Sequence, residues 1–251
     1  MIIQCEQRSH TWFLNRTGRV TGSEVAAVMD FVWKGSKERG DKRLVESAAR
    51  ANYRASLIAE TLTGEPDMDG FSSKAMQWGE ENEDGARNAY EMRHKVLVDQ
   101  VGFGIHDKID RLGASPDALV GDLGGLEIKC LKTKNHLDIL KTEQVPDEYL
   151  PQIYTNMAVF NRDWWDFGSF DPRLPEELQW WDKRVFRNEV EIQRIESAVL
   201  QFLEEVDMEI QWLRERYGEF KIGKQAPQIP EGEGWITETN EEIEALFKEE
   251  A

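Results

Sequence analysis

Asp117, Glu127 and Lys129 are the residues of this chain whose types and spacing could do chemistry together. They fall inside LGASPDALVGDLGGLEIKCLK, residues 112–132. Glu127 and Lys129 lie two apart in an apolar run, and strand residues two apart point to one face. Leu126, Ile128 and Cys130 then face the other way. The Gly-rich stretch at 121–125 predicts a reversal that brings Asp117 beside them. Two carboxylates that close repel each other unless a divalent cation neutralises them, and hard oxygen donors suit magnesium. The same spacing also fits an ordinary hairpin with polar residues on its wet face, because Asp, Glu and Lys are common surface residues.

The rest of the chain must position such a site. At 251 residues with 40% apolar content, it can form one large α/β domain or two small ones. No run of about 18 apolar residues exists, so no membrane span is expected. The opening residues MIIQCEQRSH carry no cleavable signal pattern, and a cytoplasmic setting is expected. Two cysteines and four scattered histidines, with no CxxC or HxxxH, exclude an ordinary structural zinc site. The net charge of −17 argues against a nucleic-acid partner at first sight. Its distribution does not: residues 1–60 hold ten Lys/Arg against seven Asp/Glu, while residues 222–251 hold two Lys against eight Glu. A locally basic path on an acidic chain limits non-specific DNA affinity without abolishing binding.

Thr21 followed by Glu24 reads as a capping box, predicting a helix with Val25, Val28 and Met29 on its apolar face. A helix N-terminus is a natural phosphate site, and Arg16, Arg19 and Ser23 lie close to this one. The plainer reading, which the local sequence favours, is a capped helix with solvated arginines. Residues 34–41, KGSKERGD, read as a polar loop whose Lys34, Lys37 and Arg39 either track a phosphate backbone or stay in solvent. Residues 42–63 read as a helix. Its Arg43, Arg50 and Arg54 share one face, either a DNA-facing stripe or a solvated surface. Residues 74–94 read as a second helix, with Glu80, Glu81, Glu83 and Asp84 crowded in one region, and one of these acids is a candidate to join the metal site.

Sheet-like alternation covers 95–130, followed by a polar connection at 131–148 with one short helix, where Lys132 and Lys134 sit just past the candidate site. A buried helix at 149–161 carries the lone polar Gln152 near its start, and 163–172 reads as a strand with its Trp pair in the core. RVFRNEVEI at 184–192 is strand-like, and an amphipathic helix with an acidic polar face runs on to about residue 215. Residues 1–219 are expected to form one domain, and 220–251 an acidic C-terminal tail.

Five segments occur in a telling order: WFLNRTGRVTGSEV, WGEENEDGAR, ASPDAL, LEIKC and YLPQIYTNM. Together they resemble the phage lambda exonuclease family, the YqaJ-type viral recombinase nucleases of the PD-(D/E)XK superfamily, over residues 9–205. The resemblance implies an α/β fold with a central mixed β-sheet flanked by helices, a restriction-endonuclease-like core. It implies Asp117, Glu127 and the backbone carbonyl of Ile128 as Mg2+ ligands, with Mn2+ as a substitute. Lys129 takes the place of the lysine that orients the attacking water. Glu83 is the helix carboxylate of the site and Gln152 the motif glutamine. Arg16 and Ser23 align with residues that hold a DNA 5′-phosphate, and Met76 with an apolar wedge at the DNA end. Trp12, Arg19, Lys34, Lys37 and Lys132 are further candidate DNA contacts.

The implied activity is a 5′→3′ exonuclease that degrades one strand of linear double-stranded DNA from a 5′-phosphorylated end. It releases mononucleotides and leaves 3′ overhangs for single-strand-annealing recombination. The implied partners are linear double-stranded DNA, a single-strand annealing protein and two further copies in a ring-shaped homotrimer, inside a bacterial host as a phage or prophage protein. The alternatives are an endonuclease or iron–sulfur nuclease of the same superfamily and a non-catalytic DNA-binding module. Two cysteines are too few for a four-cysteine cluster, and the complete acidic and basic set argues against a decayed site.

Overall fold

The computed structural model describes residues 1–67 and 74–222, and the backbone alone of residues 75 and 76. In chain order the elements are β1 (Ile2–Ile3), α1 (His10–Arg16), β2 (Val20–Thr21), α2 (Val25–Val28), β3 (Phe31–Lys34), β4 (Arg43–Glu46), α3 (Ala48–Thr63) and α4 (Lys74–His94). Then follow β5 (Phe103–Ile105), β6 (Leu112–Ala114), β7 (Ala118–Val120), β8 (Gly124–Lys129), α5 (Thr133–Thr142), α6 (Leu150–Phe160), β9 (Trp164–Phe170), β10 (Trp180–Phe186) and α7 (Glu189–Tyr217).

The expected mixed α/β architecture is present, with the strands divided between sheets. One four-stranded sheet runs β1-β5-β6-β2, another runs β10-β9-β8-β7, and β3 and β4 form a separate hairpin. Both four-stranded sheets are mixed, because β2 pairs with β6 and β8 with β9 in parallel. The Asp99–Leu119 bridge ties the chain just ahead of β5 to β7.

The β7–β10 sheet is covered on both faces. Leu126 and Ile128 of β8 pack with Ala118, Val120 and Phe170 against Ala86 and Tyr90 of α4. On the other side, Trp165 and Phe167 of β9 pack with Ile153 and Met157 of α6 in the main core, which α7 closes through Ile195, Val199, Phe202 and Val206. Asp166, only 1% exposed, accepts from the Tyr90 hydroxyl at 2.8 Å and from Arg184 at 2.8 and 2.9 Å, so it pins α4 to β9 and β10. Gly124 and Gly125 are strand residues in β8, not turn residues as the sequence suggests. A Cβ on Gly125 would sit 2.3 Å from the Trp165 ring, so the tryptophan lies flat against the strand two residues before Glu127.

Local signals end several helices as expected. Ser9, Ser47 and Asn188 cap α1, α3 and α7, and Gly64 closes α3 in the left-handed conformation. Four expectations need correction. The Thr21–Glu24 capping box does not form: a 3-10 turn spans Gly22–Glu24, α2 has four residues, and the Thr21 hydroxyl faces Arg16 and Ser23 instead. Residues 43–46 are a strand, because pairing with residues 31–34 outweighs their weak helical pattern. Strand structure in 95–105 shrinks to one bridge and β5. Residues 180–186, rather than 184–192, form the last strand, and Asn188 starts α7. Residues 223–251, most of the expected acidic tail, lie outside the described residues.

Asp171, the residue just after β9, is fully buried and carries a pH dependence. Burial alone would raise its pKa, but hydrogen bonds from Arg173 and Thr133 outweigh that and hold it at about 2. A depressed carboxylate stabilises the fold fully above its unfolded pKa of about 3.9, and the stabilisation is lost as pH falls through the folded value. Denaturation midpoints of Asp171→Asn should therefore fall less steeply than wild type between about pH 4 and pH 2.

Candidate active site

Glu127 is 1% exposed and sits at the centre of a closed hydrogen-bond set. Its Oε1 accepts from Lys129 Nζ at 2.6 Å and from Gln152 Nε2 at 2.7 Å. Its Oε2 accepts from Asn156 Nδ2 at 3.1 Å. Gln152 Oε1 in turn accepts from Lys129 Nζ at 3.2 Å. The period of two along β8 puts Glu127 and Lys129 on the α6-facing side, and Gln152 and Asn156 reach them from one face of α6, four residues apart. Sequence reasoning missed Asn156, whose i+4 spacing from Gln152 was the available signal.

Asp117 stands on the lead into β7. The β7–β8 ladder runs only as far as Ala118–Leu126, so the next amide of β8 on that side, that of Ile128, donates to Asp117 Oδ2 at 2.5 Å instead. In a strand the N–H and C=O of one residue point to the same side, so the Ile128 carbonyl faces Asp117 as well. Burial first, then the charges of Glu127 and Glu83, push the Asp117 carboxyl well above the usual carboxylate range. Burial alone would lower the Lys129 ammonium, but the carboxylates of Glu127 and Asp117 outweigh it and raise its pKa, so Lys129 stays charged. Burial, then the carboxylates of Asp117, Glu83 and Asp171, push the Cys130 thiol up to about 12.

Glu83 projects from α4 toward the site, where its charge acts on Asp117, but its carboxylate is held by Arg87 at 2.8 Å and Arg8 at 3.3 Å. Among the described residues no three His, Cys, Asp or Glu side chains form a ready-made metal cage. The donor set still fits a hard divalent cation. Asp117, Glu127 and the Ile128 carbonyl offer oxygen, and one ammonium leaves the acidic cluster with excess negative charge that burial makes costly.

Arg16 lines a separate cavity of about 330 Å³ with Arg19, Thr21, Glu24, Tyr53 and Glu60. Its Nη2 donates to Thr21 Oγ1 at 3.4 Å, and Thr21 Oγ1 lies 3.3 Å from Ser23 Oγ. Among the described residues Arg16 forms no ion pair, although burial disfavours its charge and Glu24 and Glu60 lie near enough to support it. A guanidinium and hydroxyls converging in a cavity can take an anion. The larger groove, about 680 Å³ between Lys108–Arg111 and α7, contains none of the carboxylates of the site.

The other sequence candidates are scattered. Trp12 is 6% exposed and gives its indole N–H to Ser115, so it does not face DNA directly as expected; its large apolar ring is better buried. Arg19 lines the Arg16 cavity, with its guanidinium on the carbonyls of Asn15 and Asp110. Lys34, Lys37 and Lys132 are exposed, the first two at the β3–β4 hairpin and the third at the start of α5. Met76 falls in the first turn of α4, and its side chain lies outside the described residues. The Arg43–Arg50–Arg54 stripe dissolves: Arg43 is in β4, and Arg50 and Arg54 are clamped by Glu46 and Glu205.

This fold and this site define the PD-(D/E)XK nuclease class. The chain belongs to the YqaJ-like viral recombinase domain family, whose model matches residues 11–163. It is similar to LHK-Exo, an alkaline exonuclease from Laribacter hongkongensis, at 39% identity over 83% of this chain and 98% of that one. The TM-score is 0.74 to its complex with dAMP and 0.73 to a second structure of the same protein. A phage-related exonuclease from Haemophilus somnus shares the fold at 14% identity and a TM-score of 0.55, covering 78% of this chain and 96% of that chain. No curated protein matches the chain. Among the described residues, no helix is long and apolar enough to cross a membrane.

Proposed function

We propose that this protein is a Mg2+-dependent 5′→3′ exonuclease that degrades one strand of linear double-stranded DNA from a 5′-phosphorylated end. The observation that carries the reading is the Asp117–Glu127–Lys129–Gln152 cluster, with Arg16 in a second, anion-fitting cavity. Family membership and the 39% identical exonuclease support it, and so does that relative's complex with dAMP, a mononucleotide of the kind such a reaction releases.

Asp117, Glu127 and the Ile128 carbonyl would hold the cation. A bound divalent cation supplies an activated water and neutralises charge building on the phosphate. Lys129, fixed by Glu127 and Gln152, places a permanent positive charge where the phosphoryl oxygens gain negative charge. Its raised pKa makes it a charge stabiliser and not a proton acceptor. Glu83 sets the local field from α4. Water oxygen bonds to phosphorus while the P–O3′ bond breaks and the terminal 3′-oxygen takes a proton. One 5′-mononucleotide leaves, and the shortened strand carries a new 5′-phosphate. Arg16, with Thr21 and Ser23, would receive that phosphate, which gives the reaction its direction.

A ring-shaped homotrimer around the duplex and an annealing-protein partner for the 3′ overhang complete the proposal. Linear duplex labelled at each terminus should lose nucleotides only from the 5′ ends, only with Mg2+ or Mn2+, and faster from 5′-phosphate than from 5′-hydroxyl. Arg16→Ala should remove that preference by raising KM on phosphorylated ends about 10-fold or more, as expected for losing a hydrogen bond to a charged group. Loss from 3′ ends, or equal rates on the two kinds of 5′ end, would sink the reading.

A further inference from the structure

Trp12 joins the Arg16 cavity to the turn that carries Asp117. One face of its indole lies against the Arg16 guanidinium, 4.2 Å from the guanidinium carbon to the ring centroid. Trp12 and Arg16 are four apart on α1, so the helix itself stacks them. On the other side, Trp12 Nε1–H donates to Ser115 Oγ at 2.7 Å. Ser115 stands two residues before Asp117, with Pro116 between them. The Pro116 carbonyl is held by Gln7 Nε2 at 2.8 Å, and the same nitrogen donates to the Val101 carbonyl at 2.9 Å. The turn is therefore gripped from both sides by the N-terminal segment. At 6% exposure and in edge contact with Phe13, the Trp12 ring cannot swing to another rotamer.

We propose that Trp12 is a positioning residue that fixes the distance from the Arg16 cavity to Asp117, and so sets the cut one nucleotide from the captured end. The proposal rests on reading the Arg16 cavity as the 5′-phosphate site. Its physical basis is geometric. A reacting phosphorus must lie about 3–3.5 Å from its attacking oxygen, and a misplacement of about 1 Å can cost on the order of 100-fold. An end held by a guanidinium that shares no rigid link with the carboxylate turn would present a spread of phosphodiesters. The stacked, hydrogen-bonded indole is that link: its face carries the guanidinium and its one N–H carries the turn.

Trp12→Phe keeps a ring beneath Arg16 and deletes the N–H, and Ser115→Ala deletes the acceptor. Each would be assayed on 5′-phosphorylated linear duplex for kcat, KM and product length, with a thermal melt as control. The expected result is a near wild-type KM, a kcat about 10–100-fold lower, and dinucleotides appearing among the products. The double variant should be no worse than the weaker single, because both changes break the same bond. Ser115→Thr, which keeps the hydroxyl, should restore mononucleotide release, and it carries the test with Ser115→Ala if Trp12→Phe does not fold. Unchanged kcat and product length in folded variants would overturn the proposal, and so would additive losses in the double variant or failure of Ser115→Thr to restore product length. Failure of the underlying pocket reading looks different: wild type itself would then digest 5′-hydroxyl and 5′-phosphate ends at equal rates.

Discussion

Replacing Lys129 with methionine should lower kcat on linear duplex by about 10²–10³-fold, the loss expected when one preorganised charge or donor is removed from a transition state. Lys129 Nζ bridges Glu127 Oε1 and Gln152 Oε1, and Tyr149 lies 5.3 Å beneath it, so the ammonium has little freedom. The neighbouring carboxylates keep it protonated against the penalty of burial. Methionine has similar length and no charge, so packing is retained. Glu127 keeps its bonds from Gln152 and Asn156 but loses its ammonium partner, so the melting temperature should fall, and the rates are compared well below it. KM should change far less than kcat, because the Arg16 cavity is separate. Single-turnover rates on a 5′-phosphorylated duplex give the number. A variant that cuts at the wild-type rate would remove Lys129 from the chemistry.

The second large effect concerns stability. Arg50 is 3% exposed, stacked between the rings of Phe31 and Phe202, with its Nε on the Val28 carbonyl. Glu205 meets it with two bonds of 2.7 and 2.9 Å. Glu46 adds a third bond at 3.1 Å and is shared with Arg54. Removing one partner of a buried pair leaves a charge without compensation, at a cost of about 3–5 kcal/mol. Glu46 remains, so Glu205→Ala should cost about 3 kcal/mol, lowering Tm by roughly 6–12 °C in a chain of this size. Glu209, half-exposed and paired with Arg54, serves as the control, and Glu209→Ala should cost under about 1 kcal/mol. Scanning calorimetry of the three proteins tests the ranking. If Glu205→Ala instead left Tm unchanged and altered the salt dependence of DNA binding, the arginines would be reading DNA and not closing α3 onto α7.

Those arginines mark the limit of sequence reasoning. Spacing of four placed Arg50 and Arg54 on one helix face correctly, but could not say whether that face meets solvent, DNA or protein. The answer is α7, about 155 residues away in sequence, which supplies Glu205 and Glu209. Trp12 is a second such case: the family resemblance made it a candidate DNA contact, whereas it is buried with its N–H satisfied by Ser115 across 103 residues. The Thr21–Glu24 pattern is a third, since the cap competes with Arg16 and Ser23 for one hydroxyl, and only the folded neighbourhood decides that contest.

By itself the sequence determined the relations set by backbone periodicity. Glu127 and Lys129 share a face because strands repeat every two residues, and Gln152 sits on a buried helix whose apolar positions recur every three or four. Those short-range rules, with Asp117 returned by a turn, brought Asp117, Glu127 and Lys129 together; Glu83 and Gln152 joined them only through the family resemblance, and Asn156 was missed. Tertiary structure alone decided their electrical state. Whether a carboxylate is solvated, paired or crowded by another depends on which elements pack together, and periodicity carries no information about that. Asp117 is raised by burial first, then by Glu127 from its own sheet and Glu83 from α4 across it, while Glu127 is gripped by Asn156 from α6. Burial between two helical layers is what raises Asp117 and holds Lys129 charged against its desolvation.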